Sequence, residues 1–210
     1  MTDSVKEDLL KLLERIWTSD DFKLADTERT RGLRLELLTR ALSAVMTDDE
    51  RARLNGLPAG CRMRENAKIL SPDRLVCGDH VWIGESVIVD ASGGMEIGDH
   101  TTLGSGSYIW SHSSVMANIL MDNRSGNRYI GHSRTRIGSG TFIGGPSVVY
   151  AGVSIGDRCV VMPMSVVTSD VPDNTMVGGA PARVIKQIDE AYIERFQATL
   201  TQQPNGQSQS

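Results

Sequence analysis

Between Cys77 and Val171 an aliphatic residue returns at nearly every sixth position. The series runs through Ile83 and Val89, then Ile97, Leu103, Ile109 and Val115, then Ile137, Ile143, Val149, Ile155, Val161 and Val167. Four positions after most of these comes a second, usually small residue, as at Val87, Thr101, Ser107, Ser113, Thr141, Ser147, Val153, Cys159, Ser165 and Val171. Glycine often follows the aliphatic residue directly, as in Ile83-Gly84, Ile97-Gly98 and Ile143-Gly144. A six-residue period fits neither an isolated amphipathic helix nor a meander of strands. It implies stacked units that bury a core only together. Each unit supplies one short strand and one turn, and three units close a triangular coil, so the fold class read here is mainly β, a parallel β-helix. Burying one such Val, Ile or Leu is worth roughly 1.5–3 kcal/mol, enough for the ladder to carry the stability.

The flanks read differently. Residues 5–17 place Val5, Leu9, Leu10, Leu13, Ile16 and Trp17 at helical spacing, and a second helix is expected from about Asp26 to Met46. Thr47-Asp48-Asp49-Glu50 reads as a capping box opening a short third helix toward Leu54. Cys61-Arg62-Met63 and Ile69-Leu70 are expected as entry strands, with the first complete coils beginning near Leu75. The ladder is interrupted twice: two extra residues near 93–96 suggest a bulged corner, and residues 116–136 lose the period altogether. A long excursion from a rigid scaffold is functional or disordered. The chain thus divides into an N-terminal helical segment (1–58), a β-helix (59–187) carrying the 116–136 loop, and a C-terminal helix and tail (188–210) whose last residues have a disordered composition.

Composition narrows the partners. With 22 Lys plus Arg against 26 Asp plus Glu, the net charge of −4 offers no broad basic surface for nucleic acid. No apolar run approaches the roughly 20 residues of a membrane span, and no signal-peptide core is visible, so a cytoplasmic protein is expected. Cys61, Cys77 and Cys159 lack metal-ligand spacing and read as packing residues.

The ladder, together with the terminal stretch DVPDNTMVGGAPARVIKQI, resembles the hexapeptide-repeat acyltransferases, whose coil is a left-handed parallel β-helix. The likeness is greatest to the sugar O-acetyltransferases, including maltose and galactoside acetyltransferases and those that decorate bacterial surface polysaccharides. It covers roughly Cys61 to Ile188. It implies acetyl transfer from acetyl-CoA to a sugar hydroxyl in surface polysaccharide biosynthesis, with no metal required. It also implies a homotrimer whose active sites lie between subunits, acetyl-CoA occupying the groove between adjacent coils, and a sugar or nucleotide-sugar acceptor.

The resemblance places a catalytic histidine at the last coil before the projecting loop, a position held here by His112 in YIWSHSSV. A neutral imidazole there takes the proton of the acceptor hydroxyl and returns it to the leaving CoA thiolate. Trp110 in the same stretch is expected to contact the acceptor. Asp90, one coil earlier, is either an acceptor contact in the groove or a solvated corner carboxylate. His132 in YIGHSRTR is either a loop residue or part of a neighbouring subunit's acceptor site, whereas His80 and His100 read as exposed turn residues. Related surface-sugar enzymes often carry an acidic residue after the histidine; here Ser113 stands there, so the imidazole's orientation must come from another group. For CoA, the resemblance assigns Gly145 as a backbone oxyanion donor, with Phe142, Pro163 and Thr168 along the pantetheine and adenine end. Phe142 replaces a common Trp, and Pro163 offers no amide donor. Arg183 and Lys186 fall where basic residues meet CoA phosphates.

Other functions share this coil. Amino-sugar or nucleotide-sugar N-acetylation would use the same histidine, and a catalytically inactive trimeric scaffold would use none. A γ-class carbonic anhydrase needs a histidine trio, and IGHSRTRIG supplies His132 with Ile137 at the position of a second histidine.

Overall fold

The computed structural model describes residues 28–122 and 128–201, together with residues 7, 8, 11, 14 and 15, which are helical. The remainder of the first expected helix and the terminal tail lie outside the described residues. Helix α1 (Glu28–Ser43) and helix α2 (Asp48–Leu54) precede the coil. The expected capping box opens α2, with the Thr47 N–H and hydroxyl donating to Glu50 Oε2 at 2.8 and 2.9 Å.

The first coil is β1 (Arg62–Met63), β2 (Lys68–Leu70) and β3 (Leu75–Cys77); the second is β4 (Trp82–Ile83), β5 (Ile88–Asp90) and β6 (Met95–Ile97). The third opens with β7 (Thr102–Leu103) and β8 (Tyr108–Ile109). It then leaves the coil through β9 (His112–Ser113), α3 (Val115–Ile119) and β10 (Gly131–His132), and returns at β11 (Thr135–Ile137). The fourth is β12 (Phe142–Ile143), β13 (Val148–Val149) and β14 (Ser154–Ile155). The fifth has β15 (Val160–Val161), β16 (Val166–Val167) and a bridge from Val171 to Ile155. Strand β17 (Thr175–Gly178) begins a last turn, β18 (Arg183–Gln187) folds back on it antiparallel, and α4 (Glu190–Thr201) follows.

Three parallel sheets result, β1-β4-β7-β12-β15-β17, β2-β5-β8-β13-β16 and β3-β6-β11-β14. The sequence ladder becomes three inward columns: Met63-Ile83-Leu103-Ile143-Val161-Val177, Ile69-Val89-Ile109-Val149-Val167 and Cys77-Ile97-Ile137-Ile155. Most of these side chains are almost completely buried, and Val87, Thr101, Ser107, Thr141, Ser147, Cys159 and Ser165 fill the corners beside them as expected. A further ladder runs up the corner between the third and first sheets. There the backbone N–H of Asp79, Asp99, Ser139 and Asp157 donates to the side chains of Asp99, Ser139, Asp157 and Asp173, respectively, at 2.8–3.1 Å.

The lower end of the prism is closed by α2. Arg51 is 1% exposed, and its guanidinium donates to the carbonyls of Ser43, Met46 and Met63 and to Asp48 Oδ1. Ala52 and Leu57 join the core cluster of the coil. The helical segment therefore packs on the coil's own first turn, a buried cation holding helix and strand together through carbonyl oxygens, of which that of Met63 is bonded in a buried setting.

Several expectations need correction. The first complete coil begins at Arg62, not near Leu75: Met63 and Ile69 already occupy ladder columns, and the short helical turn Pro72–Arg74 lengthens the next corner and hides the period. The extra residues near 93–96 likewise lie in the corner Ala91–Gly94, and Met95 stays in register with Leu75 and Thr135. Val115 and Ser113 do not belong to the ladder; both have left the coil, and Val115 is 59% exposed at the start of α3. The excursion carries a helix and a strand, and Thr135 and Arg136 have already rejoined the sheet. Strand β18, with all its residues exposed, shows no hexapeptide signal.

Candidate active site

Strand β5 ends at Asp90, and the following corner turns back toward Ser111, one coil further along. Gly93 permits the approach: its N–H donates to Ser111 Oγ at 2.8 Å, and a Cβ on it would overlap the Ser111 carbonyl. Asp90 is 1% exposed. Its Oδ2 accepts from the Ser111 N–H (3.0 Å) and hydroxyl (3.2 Å), and its Oδ1 from the Ser92 N–H (3.2 Å). Burial pushes the carboxyl's pKa up, but the hydrogen bonds from Ser111, His112 and Ser92 outweigh it and hold the value at about 2.

His112 completes the arrangement, with Nδ1 2.7 Å from Asp90 Oδ2 and 3.3 Å from Ser92 Oγ. An ionised Asp90 has no proton to give, so Nδ1 carries the hydrogen, and in the neutral form of the ring Nε2 has the lone pair. Asp90 is therefore neither a solvated corner carboxylate nor an exposed acceptor contact; it is the group that orients the imidazole. Sequence reasoning missed this role and that of Ser111. The available signal was the spacing of Asp90 and Ser111, which the lengthened corner at Ala91–Gly94 displaces from the six-residue phase.

Around the imidazole the rings are close. The Trp110 and His112 centroids are 5.9 Å apart with planes at 90°, and His132 lies 6.2 Å from His112. Strand pairing sets His132 opposite His112, so the loop histidine meets the site of its own chain. The loop's return is tied down by Ser133 N–H to Ser111 O (2.9 Å) and Thr135 Oγ1 to Trp110 O (2.7 Å). A cavity of about 500 Å³ opens here, lined by Trp110, His112, Ser113, Ser114, Val115, Tyr150 and Ala151. Tyr150 is a further lining residue that sequence reasoning missed, because it follows an ordinary ladder position. His80 and His100 are exposed corner residues whose rings stack at 4.9 Å, as their repeated turn context suggested.

The expected CoA residues lie elsewhere on the coil. Gly145 sits at the corner between the first and second sheets, where a Cβ would overlap Ser105 and Gly104 backbone, and Pro163 occupies the same corner one turn on. Phe142, 47% exposed, is on the outer side of the first sheet; Thr168 is exposed after β16. Arg183 and Lys186 are exposed on β18, with Lys186 Nζ 3.8 Å from the Tyr192 ring centroid. His112 lies beyond the second sheet, on the way to the third. Within one chain the structure thus brings Asp90, Trp110, His112 and His132 together and leaves Phe142, Gly145 and Pro163 on the far side of the prism.

Comparison with known proteins now decides the family. Residues 134–169 match the family described as bacterial transferase hexapeptide (six repeats). Protein CapG of Staphylococcus aureus is 33% identical over 158 residues, 75% of this chain and 78% of that protein. The chain belongs to the hexapeptide-repeat acyltransferase family. A protein of Escherichia coli (strain K12) named as a colanic acid biosynthesis acetyltransferase is 31% identical over 125 residues, 60% of this chain; the match spans 65% of that relative's length. Among solved structures, the maltose O-acetyltransferase of Clostridium difficile 630 superposes with a TM-score of 0.65 at 25% identity, covering 79% of this chain and 90% of that one. A hexapeptide-repeat acetyltransferase of Vibrio cholerae O1 biovar eltor, solved with acetyl coenzyme A, gives 0.59 at 26% identity over 83% of this chain and 92% of that one. For a hexapeptide-repeat acyltransferase the left-handed parallel β-helix expected from the sequence is the family fold.

Proposed function

We propose that this protein transfers an acetyl group from acetyl-CoA to a sugar hydroxyl, with His112 as general base and Asp90 as its positioning residue. The observation that carries the reading is the buried Asp90 holding Nδ1 of an imidazole that lines a cavity. As the acceptor oxygen attacks the thioester carbonyl, its C–O bond forms and its proton passes to Nε2. When the C–S bond breaks, the imidazolium returns that proton to the departing sulfur, leaving acetylated sugar and CoA thiol. Such a base contributes roughly 10²–10⁴ in rate. In this reading the Gly145 amide meets the carbonyl oxygen, and Arg183 and Lys186 offer exposed charge for CoA phosphates.

The site forms between subunits of a homotrimer in this reading, because the His112 and Phe142 faces of one prism point apart. The relatives named above favour a role in surface polysaccharide biosynthesis. Three free thiols suit a reducing cytoplasm, where acetyl-CoA is at hand, and among the described residues no helix is long and apolar enough to cross a membrane. Thiol release from acetyl-CoA, followed across a panel of sugars, nucleotide sugars and amino sugars, tests the proposal. Release with a hydroxylated sugar supports it, release with amino sugars alone makes the enzyme an N-acetyltransferase, and no release with any acceptor rejects transfer.

A further inference from the structure

We propose that His112 and His132 form a two-histidine site for a divalent transition metal of the zinc class, and that a metal bound there halts turnover. The site stands on geometry alone; its effect on turnover rests on the acetyl-transfer reading. Strands β9 and β10 run antiparallel with His132 opposite His112. The Ser133 N–H donates to the Ser111 carbonyl at 2.9 Å, which makes the neighbouring pair the hydrogen-bonded one. His112 and His132 therefore form a non-hydrogen-bonded pair, where opposed Cα atoms come within about 4.5 Å and both side chains leave the same face. Their ring centroids are 6.2 Å apart, with planes tilted by 40°.

Zinc holds imidazole nitrogen at about 2.0–2.1 Å in a tetrahedral arrangement, which sets the centroids of two ligating rings about 5 Å apart. The pair has only to close by about 1 Å, and His132, exposed on the returning strand of the loop, has room to rotate toward its partner. His112 is already arranged as a ligand. Asp90 Oδ2 lies 2.7 Å from Nδ1, so the carboxylate fixes the tautomer that leaves the lone pair on Nε2 of the neutral ring and sets a negative charge behind it. A histidine that gives its second N–H to a carboxylate is the usual outer shell of a zinc ligand. Imidazole suits zinc, copper and nickel, whereas magnesium and calcium take oxygen, which defines the class of ion. Among the described residues no group of three His, Cys, Asp or Glu side chains could hold a metal. Two protein ligands leave the other positions to water, so the ion comes and goes, unlike one in a closed structural site. A metal on His112 Nε2 occupies the lone pair that would otherwise accept the acceptor's proton.

Isothermal titration calorimetry of the full chain with zinc chloride, after stripping with EDTA and dialysis, tests the site. One zinc per chain is expected. Asp90→Asn should lower the affinity about 10–100-fold, the usual loss when an outer-shell partner goes. His112→Ala and His132→Ala, which remove a ligand outright, should lower it further, and His132→Gln should behave as His132→Ala. Circular dichroism of each variant checks that it is folded. A parent protein that takes up no zinc, or histidine variants that bind zinc as the parent does, would overturn the site. Acetylated sugar formed at rising zinc concentration then tests the halt. The parent should stop as the site fills and recover when EDTA is added, while His132→Ala keeps its own metal-free rate at zinc that silences the parent. Parent turnover that persists with the site filled would overturn the halt. Zinc binding that depends on both histidines, in protein that acetylates no sugar, upholds the site and counts against the acetyl-transfer reading.

Discussion

At the scale of single residues, the proposed chemistry turns on one carboxylate. Asp90→Asn keeps the volume of the side chain but removes the charge that obliges Nδ1 to carry the proton. Its kcat is expected to fall about 10²-fold or more while the KM for acetyl-CoA holds, since only proton transfer is touched. A kcat within twofold of the parent would remove Asp90 from the mechanism. The same carboxylate makes stability depend on pH. Its folded value, about 2, lies below the ordinary 3.8, so the stabilisation is present in full above pH 3.8 and is lost as pH falls through 2. The difference is worth about 2 kcal/mol. Chemical denaturation at a series of pH values should show this decline in the parent protein and a flatter profile in Asp90→Asn.

At the scale of elements, the ends of the coil matter most. Arg51 joins α2 to the first turn through the carbonyls of Ser43, Met46 and Met63. Arg51→Leu leaves those acceptors unsatisfied at roughly 1–3 kcal/mol for each one kept from water, so a clear drop in Tm is expected by calorimetry. An unchanged Tm would mean that the helix does not close the prism. These elements also show what the sequence could reveal. The inward columns were legible because each coil repeats the same burial, residue by residue, from Ile83 to Val167. The capping box at Thr47 was legible because its chemistry is local. The start of the first coil was obscured by Pro72–Arg74, and the Asp90–Ser111–His112 cluster by Ala91–Gly94. Both are corners whose extra residues leave the strands in register while shifting the count along the chain. Strand β18 was invisible because antiparallel return on an exposed edge imposes no hexapeptide period. His112 and the positions expected to meet CoA came from family likeness, and the geometry adds Asp90 as the partner of His112, which likeness did not supply.

For the whole molecule, the proposed chemistry needs groups that the prism sets on different faces. Phe142 lies on the first sheet and His112 beyond the second, which favours a groove shared by two adjacent coils in the proposed trimer. The exposed apolar residues Val115, Met116 and Ile119 of α3 also suit packing against a neighbouring coil. Analytical ultracentrifugation should find three chains per particle. Co-expression of His112→Ala with Phe142→Glu chains should recover part of the activity that each variant lacks alone, because mixed trimers contain some intact grooves. No recovery would place both groups in one subunit's site and reject the shared groove. The central claim is that His112 moves the proton during acetyl transfer. It is tested most directly by measuring CoA thiol release and acetyl-CoA binding side by side for the parent and His112→Ala proteins. The expected result is unchanged acetyl-CoA affinity with thiol release reduced roughly 10²–10⁴-fold, and His112→Ala protein that releases thiol at the parent rate would contradict it.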